Sequence, residues 1–119
     1  MELKRTGIAL LSFLLLNVGT FAQNFTLETI ALLPLETDQS SGIILLNDIL
    51  VTHNDGAGGS ILYEIDPDDG VLIRQITVEN ANNVDWEDIC VDQQFIYIAD
   101  FGNNSGDRTD LKIYKVSLQ

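Results

Sequence analysis

Two stretches of this sequence decide its fold: SGIILLNDILVTHNDG at residues 41–56 and EDICVDQQFIYIADFG at residues 87–102. The second begins 46 residues after the first, and each contains an apolar run, a polar turn and a second apolar run. A third apolar run follows each stretch, at 61–65 and at 111–116. A repeat of roughly 40 to 50 residues with four short strands per unit is typical of a β-propeller. The repeat therefore predicts propeller blades.

The apolar runs are short, rich in β-branched and aromatic residues, and several alternate with period two, as strands do. Gly-, Asn- and Asp-rich turns separate them, and no sustained helical period follows residue 22. The fold class predicted is all-β. The expected strands are 27–33, 42–46, 49–53, 61–65, 71–78, 89–91, 95–99 and 111–116.

The two units divide the chain into blade one at about 36–80 and blade two at about 81–119. The second unit supplies three of its four expected strands, and closed propellers have about 4 to 8 blades. We therefore expect residues 23–119 to be an incomplete β-propeller domain of about two four-stranded antiparallel sheets. A small sandwich of seven or eight strands is the competing interpretation, and it leaves the repeat unexplained.

The N-terminus has the three-part pattern of a secretory signal peptide. Lys4 and Arg5 precede the uncharged stretch 8–18, and small residues precede the expected cleavage point after Ala22. A membrane-spanning helix needs about 20 apolar residues, and this run is shorter. The pattern predicts a signal peptide at 1–22 and a secreted mature chain, extracellular or periplasmic, without a membrane anchor.

The charge of the chain restricts its partners. The formal net charge is −12, and removing Glu2, Lys4 and Arg5 with the signal peptide leaves 17 acids and 4 bases, or −13. Nucleic-acid binding depends on Lys and Arg neutralising phosphates, so this balance argues against a nucleic-acid partner. A cation, or a protein or carbohydrate ligand that is cationic or neutral, fits better.

Three segments carry a family resemblance: NVDWEDI at 83–89, FIYIADFGNN at 95–104 and RTDLKIYK at 108–115. With the leader that ends at residues 21–23, they resemble secreted β-propeller proteins of Bacteroidota, which often precede a C-terminal type IX secretion sorting domain. More distantly, the chain is similar to phytase-like and esterase-like propellers. The resemblance implies the propeller fold and secretion, and this chain would be an N-terminal fragment. It departs from the family in carrying Cys90 where a small residue is usual.

The densest polar cluster surrounds Trp86 and supplies the candidate metal ligands. Glu87 and Asp88 follow it, and Asp55 and Asp100 end the second apolar run of each unit. Carboxylate oxygens suit Ca²⁺, which takes about 6 to 8 oxygen ligands, so the sequence predicts a calcium site at these four residues. In the structural alternative, Trp86 packs between blades and the acids cap backbone N–H groups of turns.

Two functions from different classes remain open. The first is a secreted binding or scaffold propeller, with or without a bound cation, because no nucleophile–base pair is visible. The second is a metal-assisted hydrolase of the phytase-like or esterase-like kind, with Glu87, Asp88 or Asp100 acting through metal-activated water.

The single cysteine, Cys90, lies in an apolar run and is expected to be a buried, structural thiol.

Overall fold

The computed structural model describes residues 23–118, with only the backbone at Ala57, so the predicted signal peptide lies outside the described residues. Helical structure in this range consists of two single 3₁₀ turns, Leu35–Thr37 and Gly56–Gly58. None of the helices described is long and apolar enough to cross a membrane. The strands are β1 (Ser40–Leu46), β2 (Ile49–Asn54), β3 (Ile61–Ile65), β4 (Leu72–Thr77), β5 (Trp86–Val91), β6 (Phe95–Asp100) and β7 (Lys112–Ser117).

The strands form two antiparallel sheets, each following sequence order. The first sheet is β1-β2-β3-β4, and the second is β5-β6-β7. The prediction of an all-β fold is confirmed, and seven of the eight expected strands are present. The eighth, at 27–33, is wrong: this segment forms no strand, and Leu27 is 93% exposed. It runs past the turn at Gly70 instead of pairing with a strand, and β-propensity without a partner does not make a strand.

The second sheet repeats the register of the first sheet, position by position. Four of the five partner pairs between β5 and β6 lie 46 residues after a counterpart between β1 and β2, and each pairing contains a bulge that begins at the equivalent residue, Ser40 or Trp86. The equivalent pairs are Ser40–Asn54 with Trp86–Asp100, Ile43–Thr52 with Ile89–Ile98, Ile44–Val51 with Cys90–Tyr97, and Leu45–Leu50 with Val91–Ile96. The third strands also correspond, since Leu50 pairs with Ile65 as Ile96 pairs with Val116. The sequence repeat is therefore a structural repeat.

The turns follow from their residues. Asn47 and Asp48 both have positive φ, 50° and 62°, which gives the type I′ hairpin that a two-residue β-turn favours. In the second sheet, Asp92 Oδ1 accepts hydrogen bonds from the N–H groups of Gln94 and Phe95, at 2.7 and 2.8 Å. The 66–70 segment is the turn between β3 and β4, and the Gly70 N–H closes it by donating to Asp66 O at 2.9 Å.

The hydrophobic core lies between the two sheets, where β1 packs against β5. Its buried residues are Val51, Leu62, Val78, Trp86, Ile89, Ile96 and Ile98. At this contact Gly42 is necessary, because a Cβ there would lie 2.9 Å from both Ile89 and His53 Nε2. The Ser41 hydroxyl donates to the Glu87 carbonyl at 3.0 Å, which joins repeat-equivalent residues of the two sheets.

Away from β1 and β5 the sheets leave a cleft of about 500 Å³. Its walls include Glu64 and Arg74 of the first sheet and Ile96 and Val116 of the second. Arg74 donates from both Nε and Nη2 to the Glu64 carboxylate, at 2.5 and 2.8 Å. The sheets are thus closest at their first strands and open towards their later ones.

Cys90 is exposed, so the expectation of a buried thiol is wrong. In β5 the core-facing side chains are Trp86, Ile89 and Val91. Side chains alternate along a strand, and Cys90, between Ile89 and Val91, therefore points away from the first sheet. An apolar sequence context does not fix the face on which a residue lies.

Candidate functional site

Three chain segments meet at one end of the sheets, and we call this surface the loop end: residues 55–60 after β2, 78–85 before β5, and 101–110 after β6. Backbone bonds connect them, with Val78 N–H donating to Ser60 O at 2.8 Å and Gly102 N–H donating to Asp85 O at 3.1 Å. All four predicted metal ligands lie at or beside this end.

Asn83 joins the first sheet's loop to the start of the second sheet. Its side-chain amide donates to the carbonyl oxygens of Asn54 and Gly59, at 2.9 and 3.0 Å, and its Oδ1 accepts from the Trp86 N–H at 3.1 Å. Its own N–H donates to Ser60 Oγ at 3.0 Å. A buried amide with its hydrogen-bonding groups paired rigidifies the structure around it. Sequence reasoning did not select Asn83, because its partners are two carbonyls that only the folded loop brings together.

Trp86, whose N–H is bound by Asn83, is fully buried. Its ring meets His53 edge-on, with centroids 5.7 Å apart, and is tilted against Tyr114 at 6.0 Å. Trp86 therefore packs between the sheets, as the structural alternative expects.

His53 is also fully buried and faces Gly42 and Ile89 rather than solvent. Its Nδ1 lies 3.2 Å from Asn54 O. Burial lowers the pKa of His53 below its ordinary value, although the Asn54 carbonyl and nearby acids oppose this. The imidazole is a neutral packing group that a substrate does not reach.

Asp100 is fully buried and is neutralised by Arg108. Its Oδ1 accepts from Arg108 Nη1 and from the Asp85 N–H, both at 3.0 Å. Arg108 Nη1 also donates to Gly102 O at 2.8 Å, and Nε donates to Asp110 at 3.0 Å. The bond to Asp110 raises the pKa of Arg108 most, followed by the contact with Asp100. A buried carboxylate requires a partner of this kind, so the Asp100–Arg108 pair holds the loop 101–110 on the sheet.

Asp55 and Asp85 form a carboxyl pair at the surface of the loop end. The pKa of Asp85 is raised, first by desolvation and then by the hydrogen bond and negative charge of Asp55 and by the charge of Glu87. A Cβ at Gly102 would overlap the Asp85 carboxylate, so only glycine allows this approach. The pair brings two acids from different sheets together.

The other two predicted ligands have separate environments. Asp88 Oδ1 accepts from the N–H of Ile89 at 2.8 Å, and Glu87 is bound through its carbonyl to Ser41. Within residues 23–118, no group of three or more His, Cys, Asp or Glu side chains is placed to hold a metal ion. The calcium assignment stays a prediction, and nothing proposed below depends on it. A calcium titration of the melting temperature, with Asp55→Asn as the comparison, tests it directly.

An apolar patch lies beside the acids of the loop end. Val84 and Phe101 are 41% and 46% exposed. Val84 precedes Asp85 and Phe101 precedes Gly102, and a backbone hydrogen bond joins Asp85 to Gly102. Glu87 and the Asp55–Asp85 pair flank this patch with negative charge. The surface combines an aromatic ring with carboxylates, which is a chemistry for binding cationic groups.

Comparisons with protein-family models, curated proteins and solved structures each found no match to this chain.

Proposed function

We propose that residues 23–119 form a secreted binding or scaffold module built from two β-propeller blades. The repeated register with its repeated bulge carries this proposal. Each strand pairs only with its sequence neighbours, which is the connectivity of a blade. The sheets approach at β1 and β5 and open into a cleft between their later strands, which agrees with wedge-shaped packing around an axis near the first strands.

Secretion is supported by the signal-peptide pattern of residues 1–22. The remaining sequence has four bases against 17 acids, and such a field favours cationic partners and suppresses polyanionic ones. The resemblance to secreted Bacteroidota propellers agrees with both features.

The partner we propose is a protein segment rich in Lys and Arg, bound at the loop end. Phe101 offers a ring face for a guanidinium or ammonium group, which contributes about 0.5–2 kcal/mol. The Asp55–Asp85 pair and Glu87 supply complementary charge beside it. The loops that carry these residues are fixed by Asn83 and Arg108, so the surface is formed before the ligand arrives, which lowers the entropic cost of binding.

Fluorescence anisotropy with a labelled Lys/Arg-rich peptide tests this proposal, with a Glu-rich peptide of equal length as the negative control. Phe101→Ala should weaken binding by about 2- to 30-fold. Val71→Ala is the matched control, since Val71 is 57% exposed but lies beside the turn at Gly70, away from the loop end. Binding should also weaken with added salt.

Equal affinity for both peptides, or an unchanged affinity in the Phe101 variant, contradicts the proposal. Neutral oligosaccharides enter the same assay as competitors. A chain that binds an oligosaccharide and neither peptide would be a carbohydrate-binding module instead.

A further inference from the structure

Each sheet has a second face that the core does not use. On the first sheet, Ile43 and Leu45 of β1 point away from the core and are 54% and 60% exposed. The segment 28–33 covers part of this side near Leu50 and Ile65, but it leaves these two residues open. We call Ile43 and Leu45 the leading face.

On the second sheet, the face that points away from the core contains apolar, aromatic and charged side chains. It contains Cys90, Phe95, Tyr97, Ile113 and Lys115, and we call it the trailing face. Ile113 is 67% exposed and Cys90 is exposed. Lys115 Nζ lies 3.7 Å from the centroid of the Phe95 ring and 5.8 Å from that of Tyr97. The Tyr97 hydroxyl also donates to Asp92 at 2.9 Å, so this face carries both a cation and an acid beside its aromatic rings.

The equivalence of the two sheets indicates which kind of surface should cover the trailing face. Its residues Cys90, Tyr97 and Ile113 are equivalent to Ile44, Val51 and Leu62, which pack against the second sheet within the chain. The leading face residues Ile43 and Leu45 are equivalent to Ile89 and Val91, which pack against the first sheet.

We propose that the trailing face of one chain binds the leading face of a second copy, in a head-to-tail contact that repeats the packing of β1 on β5. The contact is heterologous, since it joins two different surfaces, so successive copies form a closed ring or an open filament. It rests on the blade repeat of the proposed function but does not involve the loop end or its ligand.

The charges agree with this arrangement. The trailing face presents Lys115, whereas its first-sheet equivalent is Glu64, which already has Arg74 as its partner. The segment before β1 carries Glu36 and Asp38, whose charges reach Tyr63 on the leading side of the first sheet. A second copy would therefore bring acids towards the lysine.

Light scattering coupled to size-exclusion chromatography tests the proposal on residues 23–119 over a range of concentrations. The wild-type chain should have a mass above that of the monomer. Ile43→Asp and Ile113→Asp should each give monomers, because each removes one side of the contact. Both residues are more than half exposed, and far-UV circular dichroism checks that the variants are folded. Val84→Asp, an apolar-to-acid change at the loop end, is the matched control and should keep the wild-type mass.

Mixing the two monomeric variants gives the sharpest result. Each retains the side that the other lacks, so the mixture should form 1:1 dimers and nothing larger. A wild-type monomer at every concentration overturns the inference, as does an oligomer that survives either substitution or a mixture that stays monomeric. Peptide binding by a monomeric wild-type chain would refute the self-association while leaving the proposed function intact.

Discussion

Replacing Trp86 with alanine should remove a large part of the stability of this fold. The side chain is fully buried between the sheets against His53 and Tyr114. Burial of roughly 200 Å² of aromatic surface at about 25 cal/mol per Å² amounts to about 5 kcal/mol. Measured losses for such truncations are about 3–5 kcal/mol, and a domain of this size is stable by only about 5–15 kcal/mol.

The measurement is urea denaturation followed by far-UV circular dichroism, because the substitution removes the only tryptophan. Trp86→Phe should cost less, about 1–2 kcal/mol, since it keeps most of the packed ring. It also removes no paired donor, because Trp86 Nε1 has no hydrogen-bond partner among the described residues. Val84→Ala, at a residue that is 41% exposed, is the control. If Trp86→Ala lies within about 0.5 kcal/mol of wild type, the two sheets do not share the core described above.

Three further changes address the rest of the fold. Gly42→Ala should destabilise the chain by about 1–3 kcal/mol in the same denaturation assay, since its Cβ would crowd Ile89 and His53; an unchanged midpoint would show that the sheets pack less closely. Arg108→Met should cost about 3–5 kcal/mol because it leaves the Asp100 carboxylate buried without a cation. Loss of the exposed Asp110 charge should change the stability little, because solvent screens that ion pair. Similar losses from both would contradict the buried pair. Burial lowers the pKa of His53 in the folded chain. As the pH falls, the unfolded chain therefore takes up a proton at His53 at a higher pH than the folded chain does. The free energy of unfolding should then decrease as the pH drops below about 6.5. The urea midpoint should therefore change with pH more in wild type than in His53→Gln between neutral and mildly acidic pH. An equal change in both proteins would contradict a lowered pKa at His53.

The strands and their repeat could be predicted because they depend on local pattern. The expected 61–65 strand is β3 to the residue, and the 46-residue spacing appears again in four equivalent strand pairs of the two sheets. The expected 89–91 strand is three residues too short because a bulge lets β5 begin at Trp86, and bulges interrupt the alternation on which such predictions rely. The segment 27–33 has strand residues but no partner, and pairing is not visible in one segment.

The sequence displays the charged residues of the loop end but not the contacts that organise it. Asp55, Glu87, Asp88 and Asp100 were selected for their charge, which the sequence displays directly. The bonds that organise the loop end instead use the Asn83 amide and the Arg108 guanidinium, whose partners are backbone carbonyls and a carboxylate on other segments. Those contacts depend on how the loops close, and residue type alone does not determine it.

The bulge between Trp86 and Asp88 reverses the alternation of faces in β5 and gives this chain two optical reporters. Its single tryptophan and its single cysteine lie four residues apart on opposite faces of the same strand. Emission from Trp86 reports on the space between the sheets, while a thiol-reactive dye on Cys90 reports on the surface that points away from them. The dye lies roughly 13 Å along the strand from the indole, within range of energy transfer. Opening of the core and covering of the outer surface can therefore be followed separately in one sample, without a substitution.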